Sequence, residues 1–346
     1  MSTRWRRLLT VAAAALVVVL LAEGASRLLA PYLTEPERYG DDATAVKVAQ
    51  MEARGDGCTD LVLAGNSMGR DAFDPAAFTA ADPNHRSAYN ASLDAASPEL
   101  LERWVVEEAV DRLRPTTVVL TLASLDVNAS GPATRAALEA YDGAEQTRAD
   151  LIGRLGVTAG SVSDLVAYRT ELRDPAEVQA ALDRWRSGAP AERPSADGID
   201  KVLGADGEGL SRRALRYRGD AGAKLFTREQ LLKGWTLDAD QVAASRELIE
   251  ELEAQGIAVV LVVLPVTDDY IAQHPNGVAD FDAFLGAAGG IARDTGVPLI
   301  DLHDSAPVER FADTHHLNGD GAAWFSAELA AQLDTLGVDP SARCSD

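Results

Sequence analysis

Cysteine is nearly absent from this 346-residue chain: Cys58 and Cys344 are the only two. Neither has a Cys or His neighbour at ligand spacing, which excludes a zinc module built on them. They read either as two unrelated thiols or, in an oxidising compartment, as one bridge closing a loop of nearly the whole domain. Positive charge is also short. Against 54 Asp and Glu stand 32 Lys and Arg, a formal net charge of −22. A surface of that sign repels phosphate backbones, so nucleic acid is excluded as a partner. The five His are dispersed, with no pair at the helical spacing of a metal hydrolase. No internal repeat is present. At 47% hydrophobic and 25% charged residues the chain is neither disordered nor fibrous. It is long enough for a core that needs no metal or disulfide framework, as one large domain with insertions or two small ones.

Long apolar runs are missing too. The N-terminal run, Leu8 to Ala22, falls short of the ~20 residues that comfortably span a bilayer. Arg4, Arg6 and Arg7 precede it and Glu23 ends it, while Leu28, Leu29 and Ala30 extend its apolar character. A basic flank before an apolar run is the mark of an export signal with the basic end inside. Residues 1–30 are therefore expected to be a single-pass anchor or a signal cleaved near Ala22-Glu23-Gly24-Ala25; a cytosolic core helix is the remaining reading. Either export reading places the body at the cell membrane or beyond it, outside the cytoplasm. Residues 31–57 are expected as a linker and pre-domain segment, and 58–346 as the folded domain.

What is present is a rhythm of strands and helices. Asp60–Gly65, Ser87–Ala91, Thr117–Leu122, Ile257–Leu264 and Val297–Leu302 read as strands. The spacing predicts helices over Pro98–Leu113, Gln241–Gln255, Phe281–Thr295 and Gly319–Leu336. Nearly all-apolar strands alternating with helices indicate a parallel sheet covered on both faces, and the simplest topology is a five-stranded, flavodoxin-like three-layer α/β/α sandwich. Residues 130–235 break the rhythm. Charged, rich in Gly and Pro clusters and sprinkled with aromatics, they are expected as a mostly helical insertion above one edge of the sheet.

In such a sheet ligands bind beyond the carboxyl ends of the strands. After the first strand comes Gly65-Asn66-Ser67, a turn that lifts a hydroxyl to the sheet's top edge. Asn90 stands at the end of the second, Asp126 and Asn128 follow the third, and Asp313-Thr314-His315-His316 precede the last helix. Taken singly, these are ordinary turns, N-caps or N-x-S triplets. Taken together they deliver Ser, Asn, Asp and His to one edge. His316 is expected to take the proton of Ser67 as general base, with Asp313 orienting the imidazole. The backbone at Ser67, with Asn90 and Asn128, is expected to form an oxyanion hole. His315 competes with His316 but stands closer to Asp313; His85, His274 and His303 lie outside the group.

This pattern resembles the SGNH (GDSL-like) hydrolase superfamily, in particular its membrane-anchored, envelope-facing branch. Gly65-Asn66-Ser67 is similar to the nucleophile block, with Asn66 where Asp is commoner, and Asp313-Thr314-His315-His316 is similar to the block that completes the triad. The middle blocks depart. Asn90-Ala91-Ser92 lacks the glycine whose N–H the family uses, and in Ala123-Ser124-Leu125-Asp126 the oxyanion Asn is replaced by Leu125. The resemblance implies a parallel α/β/α sandwich with no metal and no organic cofactor. It also sets Cys58 and Cys344 at the same lower edge of the sheet, where they can bridge. The activity it implies is that of a serine esterase or O-acyltransferase. The substrate would be an acyl ester, acetyl foremost, of an envelope glycan or lipid, and a membrane protein is a candidate acyl donor. The alternative is a non-catalytic envelope binding or assembly protein that keeps the fold.

Overall fold

The computed structural model describes residues 17–33, 42–55, 57–131, 134–141, 171–189 and 203–338, together with Ser163, Leu165 and Tyr168. The chain divides into two compact units, Met1–Asp42 with Asp142–Asp197, and Ala43–Tyr141 with Gly198–Asp346. Of the expected insertion, residues 142–197 group with the N-terminal segment, whereas 130–141 and 198–235 belong to the unit that holds the sheet.

In the smaller unit a helix over residues 17–29 runs into a 3-10 turn, Ala30–Tyr32, beside a helix at Pro175–Ser187. Arg184 donates to the Tyr32 carbonyl at 2.6 Å, and Glu23 accepts from the Ser163 hydroxyl at 2.7 Å. Ala30, Leu33 and Ala181 are buried, whereas Val17 to Leu21 stand 54–69% exposed. Among the described residues no helix is long and apolar enough to cross a membrane. Most of the Leu8–Ala22 run, residues 8–16, lies outside them.

The larger unit is built on β1 (Leu61–Ala64), β2 (Ala88–Asn90), β3 (Thr117–Leu122), β4 (Ala258–Val263) and β5 (Leu299–Asp301). All pairings are parallel and the order is β2-β1-β3-β4-β5, the expected flavodoxin-like sheet. Every residue of β1 and β3 is buried, which is why these strands are apolar apart from Thr117 and Thr121. Burying a Leu or Val side chain there contributes roughly 1.5–3 kcal/mol. The helices of this unit are α1 (Asp42–Ala53), α2 (Ser67–Ala72), α3 (Pro75–Ala81) and α4 (Pro98–Arg103, continued by a π turn at Trp104–Val110 and by Asp111–Leu113). They continue with α5 (Ala221–Phe226), α6 (Ala239–Ala254), α7 (Asp268–Ile271), α8 (Val278–Thr295) and α9 (Gly319–Thr335). α9 packs on α2 and α3, while α6 packs on α4 and α8. These are the two helical layers that right-handed crossovers from this strand order produce.

The segment expected as a linker carries α1, which closes the β2 edge. Its buried Lys47 donates to the carbonyls of Asn90 and Gly207, both at 2.5 Å, and Asn90 N–H donates to the Asp206 carbonyl at 2.9 Å. The edge strand's polar groups are thereby covered rather than left open to a second chain. Cys58, just before β1, is disulfide-bonded. Cys344, its expected partner, lies outside the described residues.

Candidate active site

The turn after β1 is shaped by close approach. A Cβ on Gly65 would stand 1.8 Å from Thr121 Oγ1, so only glycine lets this turn pass beside β3. Asn66 then caps α2: its Oδ1 accepts from Met68 N–H at 2.6 Å, and its amide donates to Asp126 Oδ1. Ser67 is the first helical residue, so its own N–H has no intrahelical partner. Asp126 also accepts from Ala123 N–H at 2.8 Å, which ties the loop after β3 to the nucleophile turn. Burial, opposed by those two hydrogen bonds, pushes its carboxyl up to about 7.

The opposite wall is the loop before α9. Asn318 caps α9 through Asp320 and Gly321 N–H groups and donates to the carbonyls of Glu309 and Phe311. Ala312 N–H donates to the His316 carbonyl at 2.8 Å, and Phe311 pairs with Leu317. Within this tight turn Asp313 Oδ1 accepts from the N–H groups of His315 and His316, at 3.0 and 2.8 Å. Its other oxygen lies 2.8 Å from His316 Nδ1, and His316 Nε2 lies 3.0 Å from Ser67 Oγ. Burial works to raise the Asp313 carboxyl. The neighbouring charge of His316 and His315 and the hydrogen bonds it accepts outweigh burial and hold it far below the usual carboxylate range. The ionised oxygen fixes the proton on Nδ1, leaving the Nε2 lone pair to accept from Ser67.

His315 does not compete for the serine. Its Nδ1 is 2.9 Å from Thr314 Oγ1, which lies 2.7 Å from Thr227 Oγ1. Burial, together with the charge of His316, lowers it to about 3, so it is neutral. Among the described residues, Asp313, His315 and His316 form the one group whose ligand atoms are close enough to hold a metal, within 4.8 Å. Both nitrogens of His316 are engaged by Asp313 and Ser67, and His315 Nδ1 by Thr314, so the group reads as a hydrogen-bonded relay.

The two asparagines expected in the oxyanion hole are not brought to Ser67. Asn90, fully buried, donates its amide to the carbonyls of Gly69, Arg70 and Phe73 at 3.0–3.1 Å, satisfying the end of α2. Asn128 donates to the Leu231 carbonyl at 2.8 Å and accepts from Ser130 N–H. Each amide is used up on backbone that burial would otherwise leave unpaired. Leu125 stays apolar and is 9% exposed. A different feature occupies the second loop. Leu93 N–H donates to the Gly65 carbonyl at 2.9 Å, seating the loop on the nucleophile turn. Two residues on, Ala95 adopts φ +52°, the left-handed backbone that favours glycine.

Sequence reasoning missed an ionic group behind the relay. Asp71 of α2 is 3% exposed and lies between Arg70 Nε at 3.0 Å and Arg212 Nη1 at 2.7 Å. Arg70 also pairs with Asp94. Arg212 Nε is 3.6 Å from Asp313 Oδ2. Nothing local to residues 71 or 212 signals this, because the partners are 141 positions apart.

No protein-family model matches the chain, and no curated protein is significantly similar to it. Among solved structures it is similar to a protein described as an acylhydrolase from Bacteroides fragilis, with 12% identity, a TM-score of 0.42, and coverage of 86% of this chain and 99% of that one. A catalytic mutant of an acetylxylan esterase from Geobacillus stearothermophilus has 12% identity and a TM-score of 0.39, covering 82% and 97%. A carbohydrate acetylesterase from Sinorhizobium meliloti has 11% identity and a TM-score of 0.36, covering 80% and 100%. At such identities the reading of the site rests on its own geometry.

Proposed function

We propose that this chain is an exported or membrane-anchored serine esterase or O-acyltransferase. Its substrate is an acyl ester, acetyl foremost, of a cell-envelope glycan or lipid. The observation that carries the reading is the unbroken line Ser67 Oγ, His316 Nε2, His316 Nδ1, Asp313 Oδ2, with steps of 3.0 and 2.8 Å on either side of the ring. In that line Ser67 Oγ attacks the ester carbonyl carbon as its proton passes to His316 Nε2. Asp313 stabilises the imidazolium. Collapse of the tetrahedral species breaks the C–O bond, and His316 returns the proton to the leaving alkoxide. Water, or a sugar hydroxyl, then resolves the acyl-serine by the reverse sequence. The developing oxyanion takes hydrogen bonds from the backbone N–H groups of Ser67 and Ala95. The latter is favoured by the docking of its loop on Gly65. A hole of two backbone donors lacks the side-chain amide for which Leu125 substitutes. Losing one such donor typically costs about 100–1,000-fold in rate, so a slow enzyme is expected.

The exposed apolar face of residues 17–21 supports the N-terminal segment as a membrane anchor that keeps the site near its substrate, and a membrane protein passing acyl groups outward is the matching donor. The inward-turned amides of Asn90 and Asn128 favour a second reading, a non-catalytic envelope binding protein. One experiment separates them. The full chain in detergent is treated with a fluorophosphonate probe and with p-nitrophenyl acetate, beside Ser67→Ala and His316→Ala. Labelling and acetate release that vanish in both variants establish the acyl-serine. A folded wild-type chain that neither labels nor hydrolyses overturns it in favour of the binder.

A further inference from the structure

We propose that Arg212 is a positioning residue for the proposed relay, a counter-charge brought from the insertion that balances two carboxylates, Asp313 and Asp71, around His316. The inference rests on the hydrolase reading above, since it concerns the same histidine. The guanidinium stands between the two acids, with Nη1 2.7 Å from Asp71 Oδ2 and Nε 3.6 Å from Asp313 Oδ2, the oxygen that also holds His316. It is docked there by its own turn. Gly209 N–H donates to the Arg70 carbonyl at 2.9 Å, and a Cβ on Gly209 would stand 2.0 Å from Asp71 Oδ1, so the backbone lies directly against that carboxylate. Arg213, the next residue, pairs with Asp74 at 2.7 Å, and its carbonyl accepts from Gly319 N–H at 3.0 Å. The turn is thereby fastened both to the helix of the nucleophile and to the start of α9.

The charges around His316 can be followed element by element. From its own loop comes Asp313, negative, with His315 neutral. From α2 come Asp71, negative and electrostatically coupled to His316, and Arg70, positive. From the insertion comes Arg212, positive. Arg70 is shared between Asp71 and the exposed Asp94, so Arg212 is the guanidinium that touches both Asp71 and Asp313 and balances the latter. Without Arg212 one negative charge is left uncompensated in a poorly solvated place, and it favours the protonated ring, which cannot accept from Ser67. With Arg212 in place that added negative charge is balanced, while Asp313 still meets the imidazolium as it forms. Arg212 touches no reacting atom in this account; it sets the pH range in which the relay works.

The test uses the full chain and p-nitrophenyl acetate, with kcat/KM followed across pH. Arg212→Gln is expected to move the acid limb upward by about one unit, the size of a single nearby charge on a partly buried group. Activity near pH 6 would then fall by about tenfold, with little change on the alkaline plateau. Arg212→Lys keeps the charge and should stay near the wild-type limb; Asp71→Asn combined with Arg212→Gln should return the limb toward it. A uniform loss of kcat with an unmoved limb would show a purely structural arginine and overturn the proposal, as would an Arg212→Gln profile that matches wild type. If the wild-type chain shows no Ser67-dependent hydrolysis, the functional reading falls but this inference is still decided. The ring resonance that His316→Ala removes can be titrated by NMR, and its midpoint in Arg212→Gln either rises, as expected, or stays, which refutes the counter-charge.

Discussion

The two sides of Ser67 differ sharply. On the side of the base the carboxylates are held from several directions: Asp313 accepts from two backbone N–H groups and the His316 ring, and Asp71 sits between two arginines. On the side where an oxyanion would form, the end of β2 and the loop after β3 turn their amides away, Asn90 toward the end of α2 and Asn128 toward Leu231. A proton relay needs side chains fixed to within a few tenths of an ångström, and a turn closed on itself provides that. An oxyanion hole can be made from backbone alone, which frees the neighbouring side chains to pair buried carbonyls.

The largest expected effect probes the base side. Asp313→Asn keeps the shape but offers an amide where the ring needs an acceptor, and kcat should fall by about 10⁴-fold. A loss below tenfold would show that the backbone N–H groups alone orient His316. On the other side the comparison can be sharpened by addition. Leu125→Asn puts an amide in the position left apolar, and a rise in kcat of about 10- to 100-fold with little change in KM is expected, part of what one donor is worth. A folded variant with unchanged kcat would mean that two backbone donors already complete the hole.

The same contrast explains what could be read from the sequence. The central strands β1, β3 and β4 were legible because a sheet covered on both faces makes them nearly all apolar, and β3 matches its expected span, Thr117–Leu122, residue for residue. Ser67 and the Asp313–His316 turn were legible because strand order brings their loops to one edge, and because an acid three positions before the base suits a single turn. Asn90, the last residue of β2, and Asn128, after β3, stand at the expected ends of their strands, yet an amide beside a ligand and an amide capping a buried carbonyl have the same sequence signature. Arg212 and Asp71 gave no signal, since an ion pair across 141 residues has no local pattern. Nor did α1, whose buried Lys47 sits in a stretch that reads as a linker.

Asp126 links the two sides through Asn66 and should show itself in stability. Burial pushes its folded carboxyl up to about 7, above the ordinary aspartate value of about 3.8 that holds in the unfolded chain. Between those values the folded state holds a proton that the unfolded state has lost. The contribution is therefore fully present below about pH 4 and is lost as pH rises through about 7, by roughly a few kcal/mol. Chemical unfolding of wild type and Asp126→Asn at pH 4.5 and 7.5 checks this. Wild-type stability should decline more steeply with pH, and parallel profiles would show that the carboxylate is ionised throughout.

The smallest effect decides the role of Asn90. If its amide serves the end of α2, Asn90→Ala leaves the carbonyls of Gly69, Arg70 and Phe73 without that donor. The cost should be about 1–3 kcal/mol of stability, read as a lower urea midpoint. The folded fraction should keep a kcat within about threefold of wild type, because no donor to the oxyanion has been removed. If the amide reaches the oxyanion during turnover, the pattern inverts: stability changes little and kcat falls by about 100-fold or more. Because α2 begins with Ser67 and the three carbonyls lie toward its far end, loosening them loads the helix without touching its first turn. The two outcomes are therefore separable in a single variant.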